Sequence, residues 1–199
     1  MFAGLPADLG IAAGAFVGTN IDNALVTVAM VAAATPEKAR RIAMGQVIGF
    51  AVLVVGAAGT ALALFEVPTR AIGLLGLVPL GLGIRGLMAL RHAERRLGTT
   101  RRAFGSGVTA AALITIGAGG DNLVVYIPLF RVAGVTSIVA TVLVFIVSEL
   151  LLTIFIMSAG RHPRARVVVT RIGVLATPIL YCVIGVLVLF RAGTLSVLG

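Results

Sequence analysis

The chain has one cysteine, no tryptophan, one lysine and seven acidic residues among 199 positions. Each scarcity excludes something. A single thiol, Cys182, rules out an intramolecular disulfide and any multi-cysteine metal centre. Charged residues are 12% of the chain and apolar residues 59%, against about 25% and about 45–50% in soluble domains. That leaves too little polar surface to cover a globule, which excludes a soluble enzyme and a disordered tail. The net charge of +9 invites a nucleic-acid reading. The basic residues, however, are almost all Arg and sit in short clusters between long apolar runs, a distribution that suits one face of a membrane and not nucleic acid. Phosphate-loop, His-Glu-x-x-His and Gly-x-Ser-x-Gly motifs are also missing, so neither an ATP site of that kind nor hydrolase chemistry is expected, and the chain reads as a non-enzyme. Met1 to Asp8 carries no positive region, so the first apolar run is expected to stay in the mature protein.

What remains is apolar sequence long enough to cross a bilayer, which takes about 20 residues per helix. Six stretches qualify, at 9–34, 42–65, 71–90, 108–130, 135–159 and 172–190. None alternates apolar and polar residues as a β-barrel strand does, so the expected fold is all-α, with six transmembrane helices. Loops 1, 3 and 5 hold twelve of the sixteen basic residues, and the opposite side holds three, Arg70, Arg131 and Arg191. By the positive-inside rule the odd-numbered loops face the cytoplasm and both termini lie outside it, in a multi-pass plasma-membrane protein. The remaining basic residue, Arg85, sits near the cytoplasmic end of span three, where its side chain can snorkel to the surface.

The two halves of the chain resemble each other. Val17-Gly18-Thr19-Asn20-Ile21-Asp22-Asn23 in span one and Ile116-Gly117-Ala118-Gly119-Gly120-Asp121-Asn122 in span four share an apolar-Gly-x-x-x-Asp-Asn pattern at an offset of 99 residues. The same offset relates Pro79 to Pro178 and Gly86 to Gly185. Three spans per half is an odd number, so the second half enters the membrane inverted. The expected organisation is a 3+3 inverted repeat: residues 1–90 as the first three-helix unit, 91–107 as a basic cytoplasmic loop and 108–199 as the second unit. Secondary transporters use such repeats and bind substrate at the midplane where the units meet.

Asp22 and Asp121 fall near the middle of their spans. A charged Asp there costs about 2.5–3.5 kcal/mol, so it needs a partner or a proton. No lysine or arginine is available at that depth. Two carboxylates neutralise one divalent ion, and Asn20, Asn23, Asn122 and Thr19 add neutral oxygens. Glycines 117, 119 and 120, with Pro128 beyond them, weaken the fourth helix so that backbone carbonyls can turn inward. Two other readings stay open. The Asp-Asn pairs can be caps or cross-links of broken helices, or they can recognise an organic amine, as an amino-acid exporter would. Glu149, at mid-depth in span five, is a third acid without a repeat mate, since the offset places Phe50 opposite it. It is a candidate proton carrier, ligand or helix contact, and Gln46 is a candidate lining residue of the cytoplasmic mouth. Met30, Met44 and Cys182 are read as packing residues, and His92 and His162 as loop surface.

At these residues the chain resembles the cadmium-resistance transporter (CadD-type) family of the lysine-exporter superfamily. The resemblance rests on Gly18-Thr19-Asn20-Ile21-Asp22-Asn23, Gly45-Gln46-Val47-Ile48-Gly49-Phe50, the block from Leu74 to Arg85, and Gly119-Gly120-Asp121-Asn122 followed by Tyr126-Ile127-Pro128-Leu129-Phe130. It implies export of a divalent heavy-metal cation, Cd2+ or similar, centred on the acids of spans one and four. Some family members carry a Cys before the second Asp-Asn; here Gly117-Ala118-Gly119-Gly120 offers no thiol. Oxygen donors alone suit Mn2+ or Ca2+ better than Cd2+. With no nucleotide site, export is expected to run on proton exchange. The expected partners are the metal as substrate, protons and the bilayer, with no resident cofactor and no nucleic acid. The small size and glycine-rich faces are compatible with a homodimer.

Overall fold

The computed structural model describes residues 5–90, 107–133 and 135–194. For 5–7, 22, 69, 70, 118, 121, 133, 135–137 and 163–175 it describes the backbone alone. The basic loop expected at 91–107 lies, except for Gly107, outside the described residues. Among the described residues all regular structure is helical: α1 (Leu5–Ala32), α2 (Pro36–Ala63), α3 (Thr69–Gly73), α4 (Leu77–Leu90), α5 (Val108–Ala118), α6 (Gly120–Ala133), α7 (Val135–Ala159) and α8 (Pro163–Arg191), with a 3-10 turn at Leu74–Gly76 joining α3 to α4.

Local sequence sets the helix ends. Pro36 and Pro163 open α2 and α8, where the missing N–H costs nothing. Gly193, at φ 68°, closes α8. Its N–H donates to the Phe190 carbonyl and that of Thr194 to the Leu189 carbonyl, the two-bond pattern that ends a helix on a left-handed residue. At the far end of α6, Arg131 donates to the carbonyls of Leu64, Phe65 and Val67 at 2.7–3.1 Å and stacks on the Phe65 ring, satisfying the turn that follows α2.

Three helical stretches are long and apolar enough to cross a membrane: Pro36–Ala63, Ala71–Leu90 and Ile138–Ala159. Two bent pairs raise the number to five. In α1 the axis turns by 53° between Asp8–Ile21 and Asn23–Ala32. Between Val108–Gly117 and Asn122–Val132 it turns by 68°. Both bends fall on the Asp-Asn motifs. Ala176–Arg191 is a further, shorter apolar stretch.

The helices cross at short range where glycines allow it. A Cβ on Gly49 would lie 2.8 Å from the Ala112 carbonyl and from Thr115 Cβ, so α2 lies directly on α5. A Cβ on Gly83 would lie 2.6 Å from Cys182 Sγ, and one on Gly86 would lie 2.8 Å from Pro178 Cβ, so α4 lies directly on α8. Between lipid-solvated helices such packing, not water exclusion, supplies the attraction. The large apolar residues on the outer sides of α2, α4 and α7, such as Val55, Met88 and Ile154, are exposed, as lipid contact requires.

Two buried apolar clusters hold the bundle. One joins Phe16, Phe50, Val54, Tyr126, Phe130, Phe145 and Ile184. The other joins Ala24, Val28, Val31, Ile42, Ala111, Ile156 and Ala159. In α1, α2, α7 and the α5–α6 pair, the chain passes from one cluster to the other through buried polar residues.

Candidate functional site

Those intervening residues form a polar layer. Along α1, Phe16 belongs to the first cluster and Ala24 to the second, and Thr19, Asn20 and Asn23 are buried between them. Along α2, Gln46 is buried between Ile42 and Phe50. Along α5 and α6, Thr115 and Asn122 are buried between Ala111 and Val125. Along α7, Glu149 is buried between Phe145 and Ile156. Every described residue among the sequence-derived site candidates therefore lies in this layer. The backbones of Asp22 and Asp121 are at the two helix bends; their side chains lie outside the described residues.

Tyr126, one helical turn after Asn122, joins the two halves. Its hydroxyl lies 2.7 Å from Thr19 Oγ1 and accepts a hydrogen bond from Asn20 Nδ2 at 2.8 Å. Thr19 in turn reaches the Ala15 carbonyl at 3.0 Å. One directed chain satisfies these groups: Asn20 donates to Tyr126, Tyr126 to Thr19, and Thr19 to Ala15. Because Asn20 Nδ2 also donates to the Phe16 carbonyl at 2.9 Å, the amide is fixed with its oxygen free. Asn20 Oδ1 and Asn23 Oδ1 are buried and have no hydrogen-bond partner among the described residues. A buried carbonyl oxygen without a donor costs about 1–3 kcal/mol. Both oxygens lie beside the first Asp-Asn bend.

Sequence reading missed Tyr126 as a site residue. It stands in an apolar run, and only its spacing of four from Asn122, one turn along the same helix face, marks it. Tyr126→Phe is expected to remove one acceptor from Asn20 Nδ2 and the partner of Thr19 across the helices, leaving their bonds to Phe16 and Ala15, at a cost of about 1–3 kcal/mol. It should lower the thermal midpoint in detergent by about 2–4 °C per kcal/mol and weaken apparent substrate affinity about tenfold, the equivalent of about 1.4 kcal/mol. Scanning fluorimetry and transport kinetics on the same preparation check both.

A second polar contact lies between α2 and α7. Gln46 Nε2 donates to Glu149 Oε1 at 3.0 Å, and Thr153 Oγ1 lies 3.5 Å from the same oxygen. The structure thus brings together the two pathway candidates, 103 positions apart. Among the described residues no group of three or more His, Cys, Asp or Glu side chains could hold a metal. Cys182 sits at the α4–α8 crossing against Gly83 and supplies no thiolate to the polar layer.

Bent apolar helices enclosing a buried layer of oxygen-bearing side chains mark a helical membrane protein of the transporter class. The model of the family described as "Cadmium resistance transporter" matches residues 16–199, and the chain belongs to that family. It is a family of transporters and not of enzymes. No curated protein and no solved structure matches the chain.

Proposed function

We propose that the chain exports a divalent metal cation from the cytoplasm in exchange for protons, as a six-span 3+3 inverted repeat in the plasma membrane with both termini outside. The transport site is Asp22 and Asp121, completed by Asn20, Asn23, Asn122 and Thr19. One observation carries this reading: buried amide oxygens without donors lie in a polar layer between two apolar clusters, beside a helix bend that holds an aspartate. A metal needs oxygens stripped of other partners, and a transporter needs them sealed from both sides.

Several contacts support the repeat. At the 99-residue offset, α1 corresponds to α5–α6, α2 to α7, and the α3–α4 span to α8. α1 packs on α7, and its counterpart α2 packs on α5 and α6. α4 packs on α8, a pairing that maps onto itself. Gly83 and Cys182 are 99 apart and face each other across that crossing, as residues on a two-fold axis do. Gly86 meets Pro178, and Gly185 meets the backbone nitrogen of Leu80, beside Pro79, which is the reciprocal contact. Bends at both Asp-Asn motifs match the discontinuous helices that line midplane sites in transporters.

Exchange answers the electrical problem. Moving a divalent ion against 100 mV costs about 4.6 kcal/mol, at about 2.3 per charge. Each aspartate binds the metal when ionised and releases it when protonated from the acidic side, so one M2+ for two H+ carries no net charge through the site. The oxygen donor set favours Mn2+ over Cd2+. In proteoliposomes, a pH gradient is expected to drive Mn2+ across the membrane faster than Cd2+, with no flux of lysine. Lysine flux, or metal flux blind to the pH gradient, would overturn the assignment of substrate or of coupling, respectively.

A further inference from the structure

Glu149 is the one buried acid among the described side chains, 2% exposed, and Gln46 beside it is 1% exposed. The Gln46 amide and Thr153 approach one carboxylate oxygen. The other, Oε2, has no partner among the described residues. α7 packs on α1, α2, α6 and α8. Among the described side chains the charges near the ends of those helices are exposed or engaged elsewhere: Arg41 with Glu37, Arg131 with the turn after α2, and Arg191 with Asp8. In the middle turns the ionisable residues of those helices are Asp22, Asp121, Tyr126, Tyr181 and Cys182. None is a cation, and α2 meets Glu149 through the amide of Gln46.

The pair is also asymmetric. The 99-residue offset carries Gln46 onto Phe145 and Glu149 onto Phe50. Those two rings touch, with centroids 6.2 Å apart. The operation that relates the two Asp-Asn motifs therefore exchanges a hydrogen-bonded polar pair for an aromatic pair. Both pairs sit at the same α2–α7 contact, the polar one a helical turn nearer the start of α2. Glu149 lines an open groove of about 170 Å3 between α2 and α7 whose other walls are apolar, among them Val47, Phe50, Val142, Phe145 and the exposed Val55 and Ile146. A metal there would find one carboxylate and, beside it, Gln46 Oε1, which has no partner among the described residues; these are too few for a divalent cation, which takes about six or more oxygens. A proton needs a single oxygen.

We propose that Glu149 is a proton-carrying site separate from the metal site, loaded once per cycle, so that three protons and not two exchange for each divalent ion. This rests on the exchange reading above. A proton from the outside binds Oε2 and forms an O–H bond. When the site opens to the cytoplasm that bond breaks and the proton passes to water. No other bond changes. Gln46 holds Oε1 and leaves Oε2 free to take the proton.

The test uses the full chain in proteoliposomes with Mn2+ as the probe. Three protons against one divalent ion move one net positive charge, so wild-type flux at zero pH gradient is expected to follow an imposed membrane potential. With the membrane potential clamped at zero, one pH unit should sustain about a thousandfold metal ratio in the wild type and about a hundredfold ratio in Glu149→Gln, one factor of ten per proton. Glu149→Gln should lose the potential response and keep metal-for-metal exchange, while Glu149→Asp keeps both. Wild-type flux indifferent to potential overturns the proposal, and so does a Glu149→Gln protein that still responds to it. Loss of metal-for-metal exchange in folded Glu149→Gln also overturns it, because the carboxylate then serves the metal. The wild-type limiting ratio separates two protons from three even if the variant does not fold. No metal flux in the wild type would instead defeat the exchange reading itself.

Discussion

Replacing Asp22 or Asp121 by Asn is expected to reduce metal flux about a hundredfold or more, a loss of at least about 2.7 kcal/mol of stabilisation along the transport path. Asparagine keeps the shape and one oxygen and removes the charge. A dication facing two carboxylates then faces one, and the uncompensated charge sits where Coulomb interactions are least screened. Under the repeat reading the two variants should match each other within a few-fold, because the residues are 99 positions apart and each stands at a helix bend. They should also express at least as well as the wild type, since an ionised Asp at mid-membrane costs about 2.5–3.5 kcal/mol and Asn does not carry that charge. That combination, lost flux with undiminished folded protein, separates a transport role from a structural one. If the aspartates only capped broken helices, Asn would serve as well, and flux would survive. Initial rates of Mn2+ uptake into proteoliposomes, with thermal midpoints in detergent as the folding control, decide between them.

The all-helical, membrane-spanning character and the residues of the buried polar layer were legible in the sequence; most of the connections within that layer were not. Apolar run length located α2, the α3–α4 span and α7, because bilayer thickness fixes how long such a run must be. The Gly-rich stretch before Asp121 pointed to a broken fourth helix, and the chain bends there by 68°. The matching bend at Asp22 has no glycine cluster to announce it, and only the repeat relation places it. Tyr126 and the Gln46–Glu149 contact escaped sequence reading for different reasons. A tyrosine in an apolar run reads as packing until its hydroxyl is seen bridging two helices. Gln46 and Glu149 are separated by 103 positions, and no periodicity in one chain carries information about such a pairing. The aromatic cluster of Phe16, Phe50, Tyr126, Phe130 and Phe145 has the same character. Its members come from four helices, and each alone is one apolar residue among many.

The other large effect is expected at Gly83. Gly83→Val should leave little folded protein, whereas Gly81→Ala, two residues away on the same helix, should be neutral to within about 0.5 kcal/mol. A Cβ at 81 would meet nothing within 4 Å. At 83 it would lie 2.6 Å from both the backbone nitrogen and Sγ of Cys182, and 2.7 Å from the Pro178 carbonyl oxygen. Overpacking usually costs about 1–3 kcal/mol, and this site lies at or above the top of that range because two of the three obstructing atoms are backbone. The helices must separate, and lipid chains solvate the parted surfaces, so no water-exclusion force opposes the separation that the overlap demands. A partial rescue follows from the same geometry. Cys182→Ala removes the sulfur but not the backbone atoms, so it should recover part of the stability of Gly83→Ala and much less of Gly83→Val. Melting curves of the four variants in one detergent form a double-mutant cycle with a coupling of about 0.5–3 kcal/mol. Under the repeat reading the consequence extends past the crossing itself. Gly83 and Cys182 are mates under the 99-residue offset, so a wedge between them displaces both halves in opposite senses about their common axis. Gly49, which meets Ala112 and Thr115 away from that axis, touches only the α2–α5 contact. At equal steric overlap a substitution at Gly49 should therefore be milder than one at Gly83, because it strains one of two related interfaces while the other remains intact.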